Sequence, residues 1–155
     1  MDNNDILRRL RYAFDFKDQE MIDIMGLMNF EITMEGLQAL FKREEDEEFQ
    51  ECTDDQLCAF LDGLIIKNRG LKEGAELPAL QKIDNNIVLK KLRVGLQLQS
   101  EDIISLMKLS GASTSKSELS ALFRKKGHRN YKECGNQFLR NLIQGIIKKN
   151  RGGEE

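Results

Sequence analysis

One proline, one histidine, three cysteines and no tryptophan leave this 155-residue chain short of several kinds of chemistry. With a single Pro, few backbone positions are barred from a helix. His128 stands alone, so a metal site built on two imidazoles is excluded. Any Cys–His or Ser–His nucleophile would depend on that one ring, whose neighbours Arg129 and Lys126 disfavour the imidazolium that base catalysis generates. The cysteines, Cys52, Cys58 and Cys134, are odd in number and form neither a CxxC pair nor a zinc spacing, which points to reduced, buried thiols. No apolar run approaches the ~20 residues of a membrane span. Residues 1–5 do not begin a basic stretch followed by an apolar one, so the expectation is a cytoplasmic protein with no membrane association. No Gly-rich phosphate loop is present. The composition, 40% hydrophobic and 32% charged, is that of a globular chain. These absences leave no catalytic residue, no metal ligand and no cofactor to assign.

What the chain does contain is itself, twice. Asn85-Asn86-Ile87-Val88-Leu89-Lys90-Lys91-Leu92-Arg93 repeats Asn3-Asn4-Asp5-Ile6-Leu7-Arg8-Arg9-Leu10-Arg11 at an offset of 82. The match continues without a gap. Leu37-Gln38-Ala39-Leu40-Phe41 falls on Leu119-Ser120-Ala121-Leu122-Phe123, Cys52 on Cys134, Gly63 on Gly145, and Lys67-Asn68-Arg69-Gly70 on Lys149-Asn150-Arg151-Gly152. Residues 3–70 and 85–152 are two copies of one unit, identical at about a third of their positions. At that size burial is marginal for a lone unit, so the copies are expected to pack together.

Each copy reads as four short helices. The first, over residues 4–14, carries Leu7, Leu10 and Phe14 on one face, as Leu89, Leu92 and Leu96 do in the second copy, with Asn4 and Asn86 as N-caps. Asp18 and Ser100 are placed as caps of a second helix, apolar over much of its circumference and therefore central. Thr33 and Ser115 open a third helix, with the stripe Leu37, Leu40, Phe41 repeated by Leu119, Leu122, Phe123. Phe49 and Tyr131 anchor the polar interval that follows. Thr53-Asp54-Asp55-Gln56 is a capping box opening the fourth helix. Its stripe Leu57, Phe60, Leu61, Leu64, Ile65 recurs as Leu139, Leu142, Ile143, Ile146, Ile147. Gly63 and Gly145 sit inside that helix at a cost of about 1 kcal/mol each, which implies close approach of another helix. Gly70 and Gly152 end it. Residues 71–84, with Gly74 and Pro78, form a linker in which Leu77, Ala79, Leu80 and Ile83 are candidates to dock on the core. Residues 153–155 are expected to be a frayed tail. The fold class is all-α: two tandem copies of a four-helix unit, packed with approximate pseudo-two-fold symmetry near the glycine-bearing fourth helices.

Charge divides the copies. Residues 3–70 hold 8 Lys+Arg and 16 Asp+Glu, a balance of −8, whereas residues 85–152 hold 14 and 4, a balance of +10. The acidic run Glu44-Glu45-Asp46-Glu47-Glu48 lacks the alternating ligands and central Gly of a calcium loop, and is read first as a solvated acidic loop and second as a candidate acidic partner patch. In the second copy, Lys90, Lys91, Arg93, Arg124, Lys125, Lys126, His128, Arg129 and Lys132 make a candidate partner or phosphate-binding surface. Lys148, Lys149 and Arg151 extend it. Two kinds of partner fit. One is a protein, including a second copy that pairs acidic repeat with basic repeat. The alternative is a nucleic acid on the basic repeat, to which the turn Gly111-Ala112-Ser113-Thr114 lends a weak helix-turn-helix spacing. Among charged residues the copies share Arg11/Arg93 and Glu51/Glu133, from which ion pairs Arg11–Glu51 and Arg93–Glu133 are expected.

These residues carry a resemblance. Asn-Asn-x-x-Leu-(Lys/Arg)-(Lys/Arg)-Leu-Arg in both copies, Phe49-Gln50-Glu51-Cys52, Phe60-Leu61-Asp62-Gly63-Leu64-Ile65 and His128-Arg129-Asn130-Tyr131-Lys132-Glu133-Cys134-Gly135-Asn136-Gln137-Phe138-Leu139-Arg140 resemble the bacterial YehS-like proteins. That is a family of unknown function in which one short domain occurs twice. The resemblance covers almost the whole chain and implies a bacterial cytosolic setting. It brings no activity, cofactor or catalytic residue with it. A typical member has Asp where this chain has Asn136. The function expected is therefore non-enzymatic: a binding or adaptor protein acting through charge-segregated helical surfaces.

Overall fold

The computed structural model describes residues 1–152; the expected tail, residues 153–155, lies outside the described residues. Among them are eight α-helices and no strand: α1 (Asn3–Phe14), α2 (Asp18–Gly26), α3 (Met34–Leu40), α4 (Asp54–Arg69), α5 (Asn85–Gly95), α6 (Ser100–Leu109), α7 (Lys116–Leu122) and α8 (Asn136–Arg151). The chain divides into two compact units, Met1–Ile83 and one beginning at Asp84, each with four helices.

In the first unit α2 packs chiefly on α4 and also on α3, with α1 completing the core against α4. Ile6, Leu7, Leu10 and Ala13 of α1 are buried, as are Met21, Ile24 and Met25 of α2 and Leu37 and Leu40 of α3. From α4, every residue from Leu57 to Leu64 is buried, so this helix has no polar face over two turns. The second unit repeats the arrangement with α6 on α8. There, α8 keeps Arg140 and Gln144 half-buried and is clearly amphipathic. Phe14 and Leu96, expected in the stripe of the first helix, are only half-buried; Ala13 and Gly95 occupy the deeper positions.

The helix-interior glycines have a concrete cause. A Cβ on Gly63 would lie 2.1 Å from the carbonyl oxygen of Ile24, and one on Gly145 would lie 2.1 Å from that of Leu106. No side chain fits at such a separation, so α2 on α4, and α6 on α8, cross backbone against backbone. The close approach is thus made by the second helix of the same unit.

The caps depart from expectation at two places. The first helices start two residues earlier, capped by Asp2, whose Oδ1 accepts the Asp5 N–H at 2.8 Å, and by Asp84, which accepts the Ile87 N–H at 2.8 Å. Asn4 and Asn86 lie inside the helices and are used otherwise. The second helices begin at Asp18 and Ser100, after Lys17 and Gln99, and their backbone N–H groups are taken by Glu20 and Asp102 at 3.0 and 2.7 Å. Thr33, Ser115 and Thr53 cap as expected, and Thr53 and Gln56 exchange both bonds of the capping box at 3.1 and 2.9 Å. In the linker, Leu77 and Ile83 are half-buried, while Ala79 and Leu80 stay exposed. The Ile83 N–H is held by Asp54 at 3.1 Å.

Candidate functional site

The repeated Asn-Asn dipeptide builds the feature on which a functional surface rests. Asn4, 6% exposed, donates both amide hydrogens, to Leu40 O and Gln50 O at 3.0 Å each, and its Oδ1 accepts the Cys52 N–H at 2.9 Å. All three strong positions of the amide are filled, which makes its burial tolerable. Asn86 repeats the pattern with Leu122 O, Lys132 O and Cys134 N at 3.0, 2.9 and 2.9 Å. Beside them, Asn3 donates to Cys52 O and to Asp54 Oδ1, and Asn85 donates to Cys134 O and to Asn136 Oδ1. The amide oxygen of Asn136 accepts at 2.8 Å just as the Asp54 carboxylate does, so the contact is the same in both units. Each dipeptide ties the first helix to both ends of the loop joining the third and fourth helices.

That loop is the same object in both units. Asp46 N–H to Arg43 O, Phe49 N–H to Asp46 O and Gln50 N–H to Ala39 O close the first copy at 2.9, 3.1 and 3.1 Å. His128 N–H to Lys125 O, Tyr131 N–H to His128 O and Lys132 N–H to Ala121 O close the second at 3.0, 2.9 and 3.1 Å. Even the side-chain brace corresponds: Asp46 Oδ1 accepts the Glu48 N–H at 2.9 Å, and His128 Nδ1 accepts the Asn130 N–H at 3.0 Å. The backbones differ at Gly127, at φ +98° where Glu45 has an ordinary φ, and at the loop entrance, where Phe41 N–H bonds Gln38 O but Phe123 N–H bonds Leu119 O. On this shared frame sit opposite charges. Glu44, Glu45, Asp46, Glu47 and Glu48 are all exposed in the first unit; Arg124, Lys125, Lys126, Arg129 and Lys132 are exposed in the second.

A cleft opens beside each loop, between it and the first helix of the unit. In the first unit it measures about 480 Å³ and is lined by Asp2, Asp5, Arg8, Arg43, Glu44 and Glu45, among others. Two of its three cations meet acids locally: Arg8 pairs with Asp5 at 3.2 Å, and Lys42 with Glu48 at 3.8 Å. The cleft of the second unit, about 430 Å³, puts Ile87 where Asp5 stood and Lys126 where Glu44 stood. Lys90, Arg124, Lys125 and Lys126 rim it, and Ile87, Leu122, Phe123 and Tyr131 supply apolar walls. Asp84 is its one carboxylate. Burial, then the charges of Asp84 and Glu133, push the Tyr131 phenol above its ordinary value.

The structure therefore gathers four of the predicted basic residues, Lys90, Arg124, Lys125 and Lys126, at one concave place. His128, Arg129 and Lys132 lie exposed on the loop, and Lys91 is half-buried. Arg93 has a different use. Its guanidinium lies 4.4 Å over the Phe123 ring, as that of Arg11 lies 4.5 Å over Phe41. The expected ion pairs are corrected accordingly. Arg11 pairs with Asp18 and donates Nε–H to Phe16 O at 3.1 Å, leaving Glu51 exposed. Ser100 stands where Asp18 would, so Arg93 keeps only the ring contact of the two. The shared partner of the shared arginine is an aromatic face, a cation–π contact, and not a carboxylate. Sequence reasoning missed Tyr131, Ile87, Asp84 and Asn86 as lining residues. The paired Asn-Asn dipeptides were the signal that would have found them.

The three cysteines are buried and none is in a disulfide. Burial, helped by Asp54 and Asp2, pushes Cys52 up to about 12, and burial with Asp84 pushes Cys134 up to about 11. Neither is poised as a nucleophile, which requires a lowered value. Among the described residues no group of three or more His, Cys, Asp or Glu is placed to hold a metal ion, and no helix is long and apolar enough to cross a membrane.

Comparison with known proteins matches the chain to a family model described as "Protein of unknown function (DUF1456)", over residues 3–70 and again over 85–152. The chain is 40% identical over 150 residues to the "Uncharacterized protein YehS" of Escherichia coli (strain K12), covering 95% of each. No solved structure matches it.

Proposed function

We propose, for a chain that belongs to the DUF1456 family of proteins of unknown function, that it is a non-enzymatic binding or adaptor protein whose two repeats present one surface in two electrical versions. The observation that carries this reading is the pair of loops with coincident hydrogen bonds and opposite charge. A frame held rigid by an Asn clamp loses little conformational entropy when a partner docks on it, so surface charge can act as the discriminator. The basic repeat, rimmed by Lys90, Arg124, Lys125 and Lys126, takes an acidic protein segment. The acidic repeat takes a basic one.

A cytoplasmic bacterial setting belongs to this reading. The competing one is a nucleic acid on the basic repeat, favoured by the single observation that Tyr131 lies among the cationic residues of the cleft. One experiment separates them. The protein, immobilised at low ionic strength, is exposed to nuclease-treated and untreated cell lysate. The adaptor reading predicts that a specific protein is captured from both, and that joint reversal Arg124→Glu, Lys125→Glu and Arg129→Glu abolishes the capture. Material retained only from the untreated lysate, and released steeply by salt, identifies a nucleic acid instead. Capture that survives the reversal overturns the assignment of the basic face.

A further inference from the structure

We infer that one partner of the basic repeat is a second copy of this chain, with the acidic loop of one molecule, Glu44 to Glu48, seated against the basic loop and cleft of the other. The inference rests on the charge-directed binding proposed above and names an occupant for that surface.

The first ground is complementarity. Five acids in succession, Glu44, Glu45, Asp46, Glu47 and Glu48, are exposed in the first unit, and among the described residues only Glu48 of the five has a cation within salt-bridge reach, Lys42 at 3.8 Å. Facing them in another molecule are Lys90, Arg124, Lys125 and Lys126, the cations rimming the second unit's cleft, with Arg129 and Lys132 on the same loop. Among the described residues, none of these six cations has a carboxylate within 4.0 Å. The second ground is rigidity. Both loops are closed by three backbone hydrogen bonds and a side-chain brace, and both are clamped by an Asn amide. Two preformed surfaces avoid the ordering cost that usually offsets a contact between exposed charges.

A further ground is how the basic cleft differs from its counterpart. Replacement of Asp5 by Ile87 and of Glu48 by Asn130 removes the two carboxylates that pair with Arg8 and Lys42 in the first unit, and Lys126 adds a cation where Glu44 stood. The basic cleft is left seeking acids, and the nearest equivalent supply is the other version of the same loop. Since each molecule carries one loop of each sign, pairing produces dimers or longer head-to-tail assemblies.

Sedimentation velocity on the nuclease-treated full chain tests this at about 10 mM and about 1 M salt, which shortens the Debye length from about 30 to about 3 Å. Concentration-dependent association at low salt, lost at high salt, is expected. Two variants sharpen the result. In one, Glu44→Lys, Glu45→Lys and Glu47→Lys make both loops basic; in the other, Arg124→Glu, Lys125→Glu and Lys126→Glu make both acidic. Each variant alone is expected to be monomeric at low salt, while an equimolar mixture associates. These positions are exposed, so the variants should fold, and unchanged far-UV circular dichroism verifies it. A wild-type chain that stays monomeric overturns the proposal, as does association indifferent to salt or to either reversal. If self-association fails while the lysate partner is still captured in a charge-dependent way, the adaptor reading stands and only the identity of this occupant falls.

Discussion

Asn4 and Asn86 decide more of this protein than any charged residue. Each satisfies two carbonyls and one N–H, and those of Asn4 are buried or part-buried while those of Asn86 lie nearer the surface. Removing the amide leaves those groups without partners, at about 1–3 kcal/mol for an unsatisfied buried group. Asn4→Ala is therefore expected to lower unfolding free energy by about 2–3 kcal/mol in urea titrations, and more than Asn3→Ala, whose site is only part-buried. The thiols give a pH signature. Folding lifts Cys52 from 9.0 to about 12 and Cys134 from 9.0 to about 11. Above pH 9 the unfolded chain releases protons that the folded chain retains, so stability falls as pH rises, over 9 to about 12 for Cys52 and 9 to about 11 for Cys134. Below pH 9 the contribution is complete. Urea midpoints for the wild type at about pH 8 and about pH 10 should fall further apart than those of Cys52→Ala. Equal differences for the two proteins would remove the thiol from the explanation.

At the scale of elements, the contact between α2 and α4, and its copy between α6 and α8, is set by a missing side chain. Helix propensity favours Gly→Ala by about 1 kcal/mol. At Gly63 and Gly145 the new Cβ would meet a carbonyl oxygen at 2.1 Å, and the helices would have to separate. Overpacking of this kind costs about 1–3 kcal/mol or more, so Gly63→Ala is expected to destabilise despite its propensity gain. Gly26, at the end of α2 with nothing within 4 Å of its would-be Cβ, is the control. Gly26→Ala should leave the thermal midpoint level or raise it, and opposite signs for the two variants in one melting series check the geometry. The helices themselves were readable from periodicity, down to the Thr53 capping box. Their starts were misread at Asn4 and Asn86 because an Asn near a helix start looks like a cap. Asp2 and Asp84, a little earlier, can make the local bond, and that frees the Asn side chains to reach partners 36 to 48 residues away.

For the whole molecule, a formal net charge of −2 conceals two fields of opposite sign. Ion exchange responds to surface patches as well as to totals. At neutral pH and low salt the protein should be retained on both cation and anion exchangers, and salt should release it from each as screening sets in. Reversing Arg124, Lys125 and Lys126 to Glu should abolish retention on the cation exchanger and strengthen it on the anion exchanger. A wild-type chain that flows through the cation exchanger would mean that its basic loop is not available to a partner.

The sequence by itself determined the duplication, the all-helical class, the apolar stripes and the division of charge, because these are properties of residue order that neighbours along the chain are enough to express. Only the tertiary structure decided which cations share a cleft, that Arg11 and Arg93 lie on aromatic rings, and that two loops of opposite charge follow one hydrogen-bonded course. Those outcomes depend on groups distant along the chain, on an amide in the first helix meeting carbonyls beyond the third. No local pattern encodes where such a group will find its partner.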